Sequence, residues 1–255
     1  MFQRRIIPTL LLSGNKLVKT TQFKNPNYLG DPINAVKIFN LKEVDELCLL
    51  DIDASKNNKQ PNYNLIADIA SEAFMPLSYG GGITSLDQIK HIFDCGVDKV
   101  ILESAALDRP KFVTEASTMF GSQSIVASLS VKKNRQGEYA VYGYSGMKRY
   151  GNDFSVLVKQ IEKHGAGEIM IYSIDHDGMM QGFDLDLIKS VADKVSVPVL
   201  ACGGAGSLND IHDLVKFTGI NGIGVGSLFV YVGRLKGVLI HYPTRSEIEE
   251  IIYDV

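Results

Sequence analysis

Two stretches of the sequence decide the fold: MPLSYGGGITSLDQI at residues 75–89 and VPVLACGGAGSLNDI at residues 197–211. They align without a gap. Each runs from an apolar, strand-like segment through consecutive glycines into a helix-like segment, which begins with Ser85 in one copy and Ser207 in the other. Similar segments that recur at a fixed period indicate an internal duplication. The chain is therefore expected to consist of two related halves.

Short apolar runs that alternate with segments of helical period extend this pattern outward in both directions. Such alternation is typical of βαβ units on a parallel sheet. The predicted strands are Arg5–Leu12, Glu46–Asp51, Pro76–Tyr79, Lys99–Leu102, Ser124–Ser130, Glu168–Ser173, Pro198–Ala201 and Gly222–Val225. The predicted helices include Asn62–Ala73, Ser85–Phe93, Phe112–Phe120, Asp153–His164, Asp184–Asp193 and Ser207–Phe217.

Eight such units in 255 residues predict an α/β fold, a closed (β/α)8 barrel. An open, doubly wound sheet is the alternative, but the number of units in this length favours closure. A second repeated pair, LLDIDAS from Leu49 and YSIDHDG from Tyr172, supports two tandem half-barrels. We expect the halves to cover about residues 1–122 and 123–255 of one domain, 1–255.

The composition excludes several classes of protein. Apolar residues make up 45% of the chain, enough for one large core, and the formal net charge of −3 argues against nucleic-acid binding. The opening MFQRRIIPTLLLSG is too short, and too interrupted by Pro8, for a membrane anchor or leader, so it is interpreted as a buried strand. The three dispersed cysteines suit a reducing cytoplasm and form no zinc pattern, so neither a metal nor a cofactor is expected.

Two long excursions, at residues 13–30 and 132–147, each follow a predicted strand. In barrels of this kind, the loops after the strands carry the binding and catalytic groups. Both excursions are therefore expected at the functional end.

The glycine pairs predict phosphate binding. Glycines before a helix let backbone N–H groups approach an anion. Each pair is followed, one strand later, by a loop of small residues. The candidate phosphate ligands are Gly82, Ser104, Gly204, Gly226 and Ser227. Tight turns without a ligand are the alternative interpretation, but duplicated sites favour a phosphorylated small molecule, and one with two phosphates.

Asp51 and Asp177 stand at strand ends in the two halves. They are candidate ligand contacts or acid–base groups, and equally candidate hydrogen-bond anchors for loops. His176 is more simply explained as a loop residue. Cys202 has no apparent partner base and is interpreted as a small buried residue.

Four charged residues stand just before the apolar runs of strands one, two, four and six: Arg5, Glu46, Lys99 and Glu168. Directed inward, they would form a ring of two bases and two acids at the amino-terminal end of the barrel, where ion pairing would offset desolvation. Solvated charges at strand edges are the alternative.

Motifs in consistent order and spacing resemble the cyclase subunit of imidazole glycerol phosphate synthase, the HisF type, over nearly the whole chain. They are RRIIP, LVKT, GDPINA, DELCLLDIDAS, YGGGI, VDKV, FGSQS, YSG, GAGEI, SIDHDG and ACGGAGS. The resemblance implies a barrel with a glutaminase at its amino-terminal end. Ammonia would pass through the barrel to a bisphosphate, which two aspartates on strands one and five would help to cyclise.

This chain departs from the family at the carboxyl end of the barrel. Leu11 and Ser130 stand at the two aspartate positions, Glu103 replaces the usual asparagine of the first phosphate loop, and Tyr172 replaces a small hydroxyl residue. Neither leucine nor serine does carboxylate acid–base work near neutral pH. No catalytic residue is therefore assigned, and ordinary cyclisation is not expected.

The amino-terminal end instead matches the family. By resemblance, Arg5, Glu46, Lys99 and Glu168 correspond to the ammonia gate, and Asp98 to an interface aspartate that contacts the glutaminase. With the resemblance, the gate becomes the preferred interpretation of the four charges.

One branch of the family, associated with glycosyl amidation, would combine a retained ammonia gate with altered catalytic positions. The stretch GSLFVYVGRLKGVLIHYP from Gly226 is similar to that branch. The resemblance implies a cytoplasmic subunit that conducts ammonia from a glutaminase to a sugar amidotransferase in polysaccharide biosynthesis, without nucleic acid or membrane. The leading alternative is the cyclase of histidine biosynthesis, working with other residues. A sugar-phosphate isomerase and a binding scaffold are further alternatives.

Overall fold

The computed structural model describes residues 4–151 and 153–253. Their central feature is a ring of eight parallel strands. These are β1 (Arg5–Ser13), β2 (Leu47–Asp51), β3 (Leu77–Gly80), β4 (Lys99–Leu102), β5 (Ile125–Lys133), β6 (Glu168–Ser173), β7 (Val199–Cys202) and β8 (Gly222–Val225). The first and last residues of the predicted domain, 1–3 and 254–255, lie outside the described part.

Helices connect the strands and cover the outside of the ring. They are α1 (Pro32–Leu41), α2 (Tyr63–Glu72), α3 (Leu86–Asp94), α4 (Ser104–Asp108), α5 (Lys111–Phe120), α6 (Phe154–Lys163), α7 (Leu185–Ala192), α8 (Leu208–Thr218) and α9 (Arg245–Tyr253). Short 3-10 turns occupy Ser122–Ser124 and Ser227–Phe229. The sequence pattern did not predict α1 or α9, and it indicated a loop of small residues at Ser104, where the structure has the short helix α4.

Parallel pairing continues around the ring until it closes. β1 pairs with β8 on one side, through Arg5 and Gly222, and with β2 on the other, through Thr9 and Cys48. The two halves also meet where β4 pairs with β5, through Leu102 and Ala127. The predicted (β/α)8 barrel is thus confirmed, and the open sheet is excluded because β8 returns to β1.

The duplicated stretches fold alike because the same local interactions begin both helices. Ser85 and Ser207 are the N-cap residues of α3 and α8, and each forms a capping box with the residue three positions later, Gln88 or Asp210. Before each cap, a glycine approaches backbone closely. A Cβ at Gly204 would lie 2.2 Å from the carbonyl oxygen of Gly182, so a side chain cannot fit there.

The two excursions form antiparallel hairpins at the carboxyl end. Strands Lys16–Thr21 and Lys24–Gly30 extend β1, and strands Tyr139–Gly143 and Lys148–Tyr150 extend β5. A third hairpin, Tyr231–Val232 with Gly237–Val238, follows β8. The sequence placed the first two at the correct end but did not show that they are strands.

Alternation along the strands sorts side chains into two cores. The larger core lies between the ring and the helices. The smaller core lies inside the ring and consists of Ile7, Cys48, Ile101, Val126, Met170, Tyr172, Leu200 and Cys202. Arg5, Lys99 and Glu168 precede interior members of their own strands by two residues, and Glu46 likewise precedes Cys48, so all four share the inward phase.

Among the described residues, no helix has the length and apolar character needed to cross a membrane.

Candidate functional site

At the amino-terminal end of the barrel, the four predicted charges form one cluster. Arg5 pairs with Glu46 and, at 2.5 Å, with Glu168, while Lys99 Nζ lies 3.1 Å from Glu46 Oε2 and 3.2 Å from Glu168 Oε2. Every base contacts both acids. The structure therefore brings the four together and excludes the interpretation as separate, solvated charges.

Burial gives this cluster its energetic weight. Glu46 and Glu168 are only 4% and 6% exposed, whereas the side chains of Arg5 and Lys99 retain about a fifth of their surface, 22% and 20%. Burial alone would lower the pKa of Arg5, but the charges and hydrogen bonds of Glu168 and Glu46 more than offset it and raise that pKa. The cluster is thus a mutually dependent set of charges that faces solvent on one side.

Asp98 lies beside this cluster, just before β4. Its carboxylate accepts the backbone N–H of Leu77 at 2.8 Å, yet the residue is exposed. A partner that docks at this end can therefore reach Asp98. The structure places it where the sequence prediction needs it, and its role at an interface stays a prediction.

At the opposite end lies the main pocket, a cavity of about 230 Å3. Its lining comes from the carboxyl ends of several strands and from both hairpins. Among its lining residues are Leu11, Asp51, Gly82, Glu103, Ser104, Ser130 and Tyr172. The main pocket thus contains both positions that the resemblance assigned to catalytic aspartates, together with the first-half phosphate candidates.

Inside the main pocket, one carboxyl group stands apart from the loop contacts. Glu103 Oε1 accepts a hydrogen bond from Ser130 Oγ at 2.5 Å. Burial raises the pKa of Glu103 to about 7, although the hydrogen bonds from Ser130 lower it in part. From the sequence, Glu103 is only a replacement of the usual asparagine in the first phosphate loop, and its contact with Ser130 was not predicted.

The first-half phosphate candidates are already occupied by contacts within the chain. The Gly82 N–H donates to Ser55 Oγ at 3.1 Å, and Ser104 Oγ accepts the N–H of Tyr144 at 2.9 Å. A phosphate that used the Gly82 N–H would have to displace its hydrogen bond to Ser55, whereas the Ser104 hydroxyl accepts here and can still donate. Phosphate binding at the first-half site stays a prediction.

The second-half candidates surround a buried lysine that sequence reasoning overlooked. Gly204, Gly226 and Ser227 line a small cavity of about 20 Å3 with Lys19. Lys19 Nζ donates to the Thr9 carbonyl at 2.9 Å, and a Cβ on residue 226 would come within 2.0 Å of that nitrogen. The space holds about one water molecule, so an anion there requires Lys19 to move.

The environment of Lys19 acts on the charge of its amino group in two opposing ways. Burial lowers the pKa of Lys19, and the nearby Asp177 partly offsets that effect. The motif LVKT contains this lysine, but its sequence of apolar and polar residues does not distinguish a buried lysine from an exposed one. Only the folded hairpin, which lies across the second half, reveals that Lys19 is 3% exposed.

Asp51 and Asp177 are loop anchors in the structure. Asp51 Oδ1 accepts the N–H groups of Asp53 and Ala54, at 2.9 and 3.0 Å. Asp177 Oδ2 accepts from Thr20 Oγ1 at 2.6 Å, which fastens the first hairpin to the second half. Both residues also line cavities, so ligand contact by either stays a prediction.

The remaining reactive side chains have structural explanations. His176 Nδ1 lies 2.9 Å from Ser173 Oγ within a loop. Cys48 and Cys202 are free and buried, and burial raises the pKa of the Cys202 thiol to about 12, which makes it a poor nucleophile. In the residues that the structure describes, no group of three or more metal-binding side chains occurs.

Comparison with known proteins gives consistent matches over this architecture. A family model described as "Histidine biosynthesis protein" matches residues 5–236. The "Putative imidazole glycerol phosphate synthase subunit hisF2" of Pseudomonas aeruginosa is 47% identical over 249 residues, which cover 98% of this chain and 99% of that protein. The "Putative imidazole glycerol phosphate synthase subunit HisF" of Leptospira interrogans is 47% identical over 254 residues, 99% of this chain and all of that protein.

More distant relatives extend the match. The "Imidazole glycerol phosphate synthase subunit HisF" of Petrotoga mobilis is 36% identical over 232 residues, which cover 91% of this chain and 92% of that protein.

Proposed function

This chain belongs to the histidine biosynthesis protein family, in its HisF-type group, and on that premise we propose that it is the ammonia-accepting barrel subunit of a glutamine amidotransferase. A glutaminase subunit docks at the amino-terminal end and releases ammonia there. The observation that carries this proposal is the cluster of Arg5, Glu46, Lys99 and Glu168, which lies at one end of the barrel while the main pocket lies at the other.

The buried cluster has the properties of a gate. Its bases contact its acids across the barrel axis, so a small molecule that enters must separate paired charges. The exposed Asp98 beside it offers a docking contact. Stability alone does not explain the cluster, because well-packed apolar residues stabilise a buried position at least as well as paired ions do.

The reaction that we propose at the main pocket is that of imidazole glycerol phosphate synthase, in which ammonia reacts with a phosphorylated substrate and the product cyclises. The relatives' names support this alternative better than the polysaccharide role, because they name that synthase. The phosphate candidates of both halves lie at this end, and the main pocket contains a carboxyl group, Glu103, despite Leu11 and Ser130.

A second candidate is delivery of ammonia to a separate sugar amidotransferase, as implied by the resemblance to the glycosyl-amidation branch. One specific observation favours it: Leu11, at the strand-one aspartate position, is 2% exposed and offers the main pocket no acid–base group. In that case the barrel is a conduit, and a phosphorylated ligand in its pocket is a regulator or is absent.

Reconstitution distinguishes these candidates. The purified chain is combined with a HisF-partnering glutaminase, and turnover of the synthase's bisphosphate substrate is measured with glutamine and with ammonium salt. Turnover with both nitrogen sources supports the cyclase. No turnover with either, together with glutamine-dependent amidation once a sugar amidotransferase is added, supports delivery. Failure of the chain to bind or stimulate a glutaminase would refute both candidates.

A further inference from the structure

We propose that Glu103 is the acid–base catalytic residue of the main pocket and that Ser130 is its positioning residue. This inference rests on the proposed function, because it requires that ammonia and a substrate meet in the main pocket. It deepens that function by identifying the group that moves the proton.

Geometry selects this pair. Glu103 directly follows β4, and Ser130 lies near the carboxyl end of the adjacent strand β5, which pairs with β4 through Leu102 and Ala127. Both side chains line the main pocket, and they meet at 2.5 Å. Ser130 is buried, at 2% exposure, and Glu103 is half-buried in the wall of the main pocket.

The neighbouring carboxyl groups are committed to other contacts. Asp51 accepts two backbone N–H groups and shapes the loop after β2. Asp177 uses Oδ2 for Thr20 and Phe23, and Oδ1 for the hydroxyl of Tyr172. In the described part of the chain, two carboxyl groups line the main pocket, Asp51 and Glu103. Asp51 holds the loop after β2, whereas the side-chain contact of Glu103 is with Ser130, another residue of the pocket lining. We therefore assign the acid–base role to Glu103.

The protonation behaviour of Glu103 suits this role. Because burial raises its pKa to about 7, both protonation states are populated near neutral pH, which is the condition for efficient general acid–base catalysis. When ammonia adds to a carbonyl carbon, an N–C bond forms and the π electrons of C=O move to the oxygen. Glu103 takes one proton from the nitrogen and returns it to that oxygen, so no other reactant is needed.

Other titratable groups face the same space and must be separated from Glu103 in an experiment. They are Asp51 at the end of β2, Lys56 from the loop after it, and Tyr172 from β6. Tyr150, from the hairpin after β5, does not line the pocket but interacts electrostatically with Glu103. Ser130 provides the means. It donates a hydrogen bond to Glu103, whereas Asp51 is held by Asp53 and Ala54.

The test measures ammonium-dependent turnover of the synthase's bisphosphate substrate across a pH series. The variants are Glu103→Gln and Ser130→Ala, with Glu115→Gln as a control that removes one exposed carboxylate from the outer helix α5. For Glu103→Gln we expect kcat to fall by about 100-fold or more, with KM changed by less than about threefold, as for loss of a general acid–base group. Glu115→Gln should match the unmodified chain.

Ser130→Ala carries the positioning part of the test. Because its hydroxyl stabilises the ionised carboxylate, its removal should shift the acid limb of the pH profile upward while retaining most of the plateau kcat. An unshifted limb would overturn the positioning role. Turnover that is unaffected by Glu103→Gln would refute the inference and leave the cyclase intact, whereas no turnover by the unmodified chain would refute both together. Thermal unfolding of each variant distinguishes loss of catalysis from loss of folding.

Discussion

Replacing Lys99 by methionine tests the charged cluster most directly. The substitution keeps an unbranched apolar stem of similar length and removes only the ammonium group. Glu46 and Glu168, 4% and 6% exposed, then share Arg5 as their remaining cluster base. Removing one partner of a buried pair costs about 3–5 kcal/mol, because it leaves a charge that neither water nor a partner compensates. Here Arg5 still pairs with both acids, and the Lys99 side chain is 20% exposed, so the loss should be smaller. We therefore expect Lys99→Met to lower the free energy of unfolding by about 2–3 kcal/mol.

Lys37→Met is the matched control. Lys37 Nζ lies 3.2 Å from Glu72 Oε1, nearly the same distance as in the cluster, but the two side chains are 51% and 38% exposed. An exposed pair contributes about 0–1 kcal/mol. The two substitutions therefore differ mainly in burial.

Urea-induced unfolding at pH 7.5 gives the free energy of unfolding of both variants. Glutamine- and ammonium-dependent turnover, measured on the same preparations with a glutaminase, tests passage. We expect Lys99→Met to destabilise the chain by at least about 1 kcal/mol more than Lys37→Met does, and to impair the glutamine-dependent reaction more than the ammonium-dependent one. Equal free energies of unfolding for the two variants would refute the energetic argument. Equal losses with both nitrogen sources would refute the gate.

Three further outcomes follow from the pocket end. Glu103→Gln should stabilise the chain by about 3 kcal/mol above pH 7 and not at all below about pH 4.5, in urea unfolding. The raised pKa of about 7 means that the native state binds an extra proton between those pH values, so the stability of the unmodified chain declines as pH rises through them. A pH-independent difference between the two chains would contradict this origin. Phosphate soaked into crystals at neutral pH should occupy the second-half site around Lys19 and Ser227 before the first-half site, because ionised Glu103 repels phosphate at the first-half site. Phosphate at the first-half site alone would contradict this electrostatic argument. Asp177→Asn should lower the free energy of unfolding by about 1–3 kcal/mol and speed proteolysis of the first hairpin, because it weakens the hydrogen bonds from Thr20 and Phe23. An unchanged cleavage rate would show that other contacts hold the hairpin.

The sequence was sufficient for the barrel because its signals are local and occur twice. The serine caps and glycine pairs of the two halves fix strand–loop–helix units wherever they lie, and eight units leave little alternative to closure. The charged ring was also accessible, since the four residues share the phase of the interior positions. The family resemblance then supplied a role for residues whose pattern alone left two interpretations open.

Contacts between distant segments were not accessible in the same way. Whether Glu103 reaches Ser130 depends on the backbone turn after β4, where Glu103 has φ −117° and ψ −82°, outside the regular strand and helix regions. The burial of Lys19 likewise depends on how a hairpin folds over the other half of the ring. Helix α1 was not predicted, although Asp31 caps it and Pro32 lies in its first turn. It follows the first hairpin directly, so it is not preceded by an apolar run of the kind that marks the other strand–helix units.

The charged ring also distinguishes correct from incorrect association of the two half-barrels. Arg5, Lys99 and Glu46 belong to the first half, and Glu168 to the second. Among these four residues, the first half contributes one excess positive charge and the second half one excess negative charge. Two second halves would bring two acids together without a base, and two first halves would bring four bases against two acids. Only the mixed combination is neutral, so the ring gives each half an electrostatic preference for the other over a copy of itself.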